Sequence, residues 1–219
     1  MKNFELKKEI WLWLIMLLPI AYLFYVYNSL PETVPTHFGM DGKPNGWSSK
    51  ASFICIIPGM LIGIYTLFTV IPFIDPKGRI TAMGKKYFMF KLFLMLFMVA
   101  LSFFMIQSAI SKDGGNANMM FVMVGALFAF LGNYMQAVKP NYFIGIRTPW
   151  TLENEVVWRK THALGGKLYF IAGLLIMILP FILTNTIFFP VFIGLAVTAS
   201  VIPIIYSYIA FRQEKKKVL

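Results

Sequence analysis

Two histidines, nine carboxylates and a single cysteine are the stock from which this 219-residue chain could assemble a metal site or an acid–base pair. Thr151, Glu155, Trp158 and His162 follow one another at spacings of four, three and four residues, so a helix carries all four on one stripe. Such a stripe can hold a carboxylate and an imidazole as acid and base. It equally describes an interfacial helix that lays its tryptophan among lipid headgroups. His37 stands with Phe38 and Trp47 in a different segment, where aromatic rings at a membrane edge either anchor the chain or offer a surface to an amphipathic ligand. The basic residues place His37 and His162 on opposite sides of a membrane, so the two cannot share a metal. HExxH, serine–histidine–acid and glycine-rich phosphate patterns are all missing, and Cys55 lies alone in an apolar run. The expectation is a protein without catalytic residues, cofactor or metal.

The elements that must position these residues are apolar throughout. Apolar residues make up 58% of the chain and charged ones 13%, a composition for which a bilayer is the natural solvent. Apolar windows at 9–29, 51–73, 88–111, 118–138, 167–187 and 188–211 are each near the roughly 20 residues that cross hydrocarbon. The expected fold is an all-α integral membrane protein of about six transmembrane helices, placed in a cell membrane. Asn185, Thr186 and Pro190 alone divide the last two windows, which leaves a re-entrant or tilted pair open there. At the amino terminus the apolar run is too long for a signal peptide and reads as a retained helix.

The net charge of +11 is gathered into clusters between the apolar runs, as orientation signals are, and not into a nucleic-acid surface. Sixteen Lys and Arg residues fall before the first window, in the second and fourth loops and in the tail, against Lys43, Lys50 and Lys112 on the other side. Both termini are therefore expected in the cytoplasm. Lys91 remains inside the third window, from which it is expected to snorkel to the interface. With no carboxylate away from a window end, ion-coupled transport is disfavoured.

Within this frame Gly59 and Gly63 have GxxxG spacing and are expected to let two helices approach closely. The outer loop, LPETVPTHFGMDGKPNGWSSK, is rich in Pro, Gly and Asn and reads as a series of turns. The fourth loop, 139–167, is the longest polar interval. In it Gly145 permits a sharp turn, Thr151 is expected to cap a short helix whose first turn holds Glu153 and Glu155, and Glu155 is placed to pair with Arg159.

The stretch LGNYMQAVKPNYFIGIRTPWTLENEVVWRKTHALGGK resembles the signature of the SdpI/YfhL family, immunity proteins against the sporulation-delaying killing peptide of bacilli. Asn141, Gly145, Arg147, Thr148, Pro149, Trp150, Thr151, Trp158 and His162 stand in the family's order and spacing. LPETVPTHFGMDGKPNGW resembles the small membrane domain that often precedes that signature. The resemblance implies two regions, an amino-terminal helix pair with its outer loop at 1–75 and a four-helix region at 76–219. It also implies an immunity role, with a hydrophobic killing peptide and membrane lipids as partners and no direct nucleic-acid binding. In the best-known member it further implies recruitment of a cytoplasmic transcriptional repressor. A small transporter or channel is the alternative from the residues alone, followed by an inner-leaflet enzyme using Glu155 and His162.

Overall fold

The computed structural model describes residues 6–39, 44–111 and 116–217. Among them run α1 (Leu6–Tyr25), the strands β1 (Thr33–Phe38) and β2 (Pro44–Ser49), α2 (Lys50–Ile74), α3 (Lys85–Ile110), α4 (Ala117–Met135), the short α5 (Pro149–Glu153), α6 (Glu155–Ile178) and α7 (Asn185–Lys216). Six of these helices are long and apolar enough to cross a membrane. Only 17–33% of each apolar window is buried within the protein, so most large side chains, Trp11, Phe24, Ile62 and Phe73 among them, point outward. In water that surface would drive aggregation, and in lipid it is the solvated face.

Two of the expected windows move. The fifth span begins at Glu155 and not at 167, because Asn154 caps α6 by accepting from the backbone N–H groups of Val156 and Val157 (2.8 and 3.1 Å). Half of the polar fourth loop is thus the first turns of a helix. The sixth span begins at Asn185, after a 3-10 turn at Leu179–Phe181, and carries Pro190 inside it. At 27 and 32 residues the last two segments are each long enough to span.

The chain packs as two units. The first comprises residues 1–70 and 87–120, where Leu12, Met16 and Leu23 of α1, Phe53, Ile57 and Leu61 of α2, and Met95, Val99 and Ile106 of α3 make one core. Each set recurs at helical spacing, which is why three uniformly apolar helices still have a defined inner face. The outer loop is not a string of turns. It forms an antiparallel hairpin, with Pro35 opposite Trp47 and His37 opposite Gly46.

The second unit comprises residues 71–86 and 121–219. Here α4 and α6 meet through glycines: a Cβ on Gly125 would stand 2.6 Å from the Gly173 carbonyl oxygen, and one on Gly132 would stand 2.6 Å from that of Gly166. The reciprocal contacts pair an earlier glycine of one helix with a later one of the other, so the helices run antiparallel with backbones touching. Without a hydrophobic drive between helices in lipid, such close approach is what holds them. The GxxxG pair expected to do this, Gly59 and Gly63, meets nothing within 4 Å.

Candidate functional site

Two sets of sequence-selected residues fall in separate units. In the first, His37 and Trp47 sit on the hairpin and are exposed, Trp47 by 60%. The His37 Nδ1 lies 2.5 Å from Asn45 Oδ1, and Gly46 is required opposite it, since a Cβ there would come within 2.8 Å of the His37 Cβ. The Phe38 side chain lies outside the described set, as do Lys2, Lys43 and Lys112 of the charge pattern. Lys50 secures the base of the hairpin: its backbone N–H donates to the Glu32 carbonyl (2.9 Å), and its ammonium donates to the Leu30 carbonyl and lies 4.2 Å from the centre of the Tyr27 ring.

The signature segment of the second unit is a knot of polar groups in which Asn141, Thr148, Thr151, Trp158 and His162 are hydrogen-bonded, while the buried Thr161 hydroxyl has no partner among the described residues. Asn141, 1% exposed, donates to the carbonyls of Lys139 and Ile144 and accepts from the N–H groups of Phe143 and Ile144, closing the loop on itself. Gly145 follows with φ +106, and a Cβ there would collide with His162 Nε2. The Ile146 N–H donates to that same nitrogen (3.0 Å), so His162 must carry its proton on Nδ1, which donates to the Trp158 carbonyl (2.9 Å). Its ring stacks on Trp158 at 4.0 Å, and the Trp158 Nε1–H donates to the Val138 carbonyl.

Trp158 and His162 are each 1% exposed, so they are not the lipid-facing or water-facing stripe that their spacing allows. Both imidazole nitrogens are already engaged, and Glu155, exposed at the start of α6, is held elsewhere. The acid–base pair of the enzyme alternative is therefore not assembled.

Thr148, and not Thr151, is the cap of α5. The two threonines close a reciprocal capping box in which Thr148 Oγ1 accepts from the Thr151 N–H and Thr151 Oγ1 accepts from the Thr148 N–H (3.2 and 2.9 Å). Pro149 occupies the first helical position, where its missing N–H costs nothing. Thr148 Oγ1 also lies 3.0 Å from Ser207 Oγ, and the Trp150 ring packs at 5.1 Å on Tyr208, so α5 is docked on α7.

What remains accessible around this knot is a polar cavity of about 180 Å³ lined by Lys77, Arg79, Asn141, Tyr142, Glu153 and Glu155. Glu155 pairs with Arg79 at 2.8 Å and not with its helical neighbour Arg159. Lys77 stands 5.0 Å over the Tyr142 ring, and the Arg147 guanidinium donates to the Tyr142 carbonyl. Sequence reasoning missed Lys77, Arg79 and Tyr142 as members of this surface. Lys77 and Arg79 are some sixty residues away in the chain, and no local pattern marks such a meeting. Among the described residues no three metal-ligating side chains cluster.

Residues 137–207, which contain the knot, match the SdpI/YfhL protein family, and residues 14–62, which contain the hairpin, match a domain of unknown function (DUF1648). The chain carries an SdpI/YfhL-family region. Over 210 residues it is 28% identical to the protein named Immunity protein SdpI of Bacillus subtilis (strain 168), covering 93% of this chain and 95% of that one. No solved structure matches it. With its six helices able to span a membrane, the chain is a multi-pass cell membrane protein.

Proposed function

We propose that this chain is a membrane immunity protein that protects its cell from a secreted, membrane-active killing peptide. The observation that carries the reading is the end-to-end similarity to Immunity protein SdpI, which takes in hairpin and signature knot in the same order. In this reading both termini are cytoplasmic, the hairpin with His37, Phe38 and Trp47 faces outward, and the peptide meets exposed aromatic area there. On the other face, Arg147 and the cavity lined by Lys77, Arg79, Tyr142 and Glu155 form the surface that a cytoplasmic repressor engages when the toxin is bound. Basic side chains around it also meet anionic lipid.

The test is to express the chain in a sensitive strain lacking its own immunity gene and to add the sporulation-delaying killing peptide. Survival above the empty-vector control supports the reading, and equal killing at confirmed membrane abundance refutes it. The outward hairpin and the repressor contact are tested by the separable variants argued in the Discussion.

A further inference from the structure

The most costly feature of the first unit lies outside both surfaces. Glu9 in the first turn of α1 and Lys91 of α3 are 6% and 3% exposed and pair at 2.8 Å inside the bundle. Lys91, expected to snorkel, points into the bundle instead of out along its surface. Its ammonium also donates to Thr69 Oγ1 (2.8 Å) and lies 4.3 Å from the centre of the Tyr65 ring, while the Tyr65 hydroxyl donates to the same Glu9 oxygen (2.9 Å). Thr69 in turn donates to the Tyr65 carbonyl (2.7 Å). Side chains from three helices thus meet, with Lys91 and Tyr65 both donating to one Glu9 oxygen and Thr69 accepting from Lys91.

An apolar face cannot supply what this cluster supplies. Packing of Leu, Ile and Met side chains is non-directional and tolerates small shifts at modest cost, whereas a buried ion pair is fully met in one setting only. Sliding α1 by one residue moves Glu9 by about 1.5 Å and turns it about 100° away from Lys91. The best attested use of a buried polar pair is such a choice of register.

The hairpin stands at the opposite end of the same helices. Glu9 is roughly 24 Å from Tyr25 along α1, and Thr69 is roughly 28 Å from Lys50 along α2, at 1.5 Å per residue. Strand β2 runs into α2 with no residue between them, and Lys50 ties that junction to the turn that follows α1.

We propose that Glu9, Lys91, Tyr65 and Thr69 form an intramembrane register site, in which the Glu9–Lys91 pair positions α1 against α2 and α3 and thereby sets the hairpin for ligand recognition. The functional part rests on the hairpin being the ligand surface. Glu9 and Lys91 are positioning residues and touch no ligand.

The test compares the Cys55→Ser chain with its Glu9→Gln/Lys91→Met variant, which removes both charges and strands neither. Spin labels at Tyr25 and Ser49 report the setting of α1 against α2 in vesicles of phosphatidylethanolamine and phosphatidylglycerol. One narrow distance is expected with the pair intact, and a broadened or two-component distribution without it. Survival under the killing peptide should fall by about tenfold at matched abundance, within the ordinary range of coupling between sites.

A narrow distance and full survival in the variant would show that the pair only fills space, and would overturn the proposal. So would lost survival with an unchanged distance. Met95→Ala, a cavity in the same core, controls for general loosening, and an equal broadening there refutes the register role. A broadened distance with full survival leaves the register site standing and sinks the hairpin reading instead.

Discussion

At Gly145 two independent constraints meet, a positive φ and the His162 ring pressed against the missing side chain. Gly145→Ala must strain the backbone and push His162 off its hydrogen bond from Ile146, at a cost of about 2 kcal/mol or more. A lower thermal midpoint in detergent, with reduced membrane abundance, is the expected outcome. Trp158 behaves similarly. Its place on a helical stripe with Glu155 and His162 invites a functional test, but at 1% exposure its removal leaves a cavity and an unpaired Val138 carbonyl. Trp158→Ala should lose about 3–5 kcal/mol and lose abundance in step with activity. Normal abundance with abolished activity would instead show that Trp158 serves function directly.

Among the elements, α4 and α6 depend on having nothing between them. Gly132→Leu places a side chain where the Gly166 carbonyl and the Phe170 backbone stand, so the second unit must open or fail to assemble. The same substitution at Gly63, which faces open space, should be tolerated. Abundance and thermal midpoint of the two variants, measured side by side, check this, and equal damage at both positions would contradict the packing. The spacing of Gly59 and Gly63 is a genuine motif in the wrong place. A motif states that helices could touch, and only the partner's own surface decides whether they do.

For the molecule as a whole, the proposed orientation with both termini inside rests on sixteen basic residues against three. In a Cys55→Ser background, cysteine at Ser49 should react with an impermeant thiol reagent from outside intact cells, and cysteine at Thr81 should not. The reverse pattern inverts the topology. If the two faces serve two partners, their defects separate. His37→Ala with Trp47→Ala should reduce survival under the killing peptide by about tenfold while leaving a repressor-controlled reporter responsive at saturating toxin, because it removes exposed aromatic docking area. Arg147→Ala should mainly blunt the reporter, because a forked cation is lost from the inner face. Proportional loss of both readouts in both variants would mean one coupled unit.

Apolar run length, composition and the placement of Lys and Arg were enough to establish six spanning segments, because lipid imposes the same demand on every helix regardless of its neighbours. Gly145 was equally legible, since a polar turn needs a residue free to take positive φ. Local chemistry alone pointed to Thr151 as the cap of α5, where the fold uses Thr148. The choice rests on a capping box and on Ser207, fifty-nine residues away. Nor could local chemistry show that the polar stretch after Asn154 is already helix, or that the Pro- and Gly-rich outer loop pairs with itself. Lys91 is the sharpest case. A lysine near a helix end snorkels when its flank is open, and it stays buried when a carboxylate eighty-two residues earlier is brought to 2.8 Å. Which of these holds depends on what the fold places beside it, and that is a property of the tertiary structure alone.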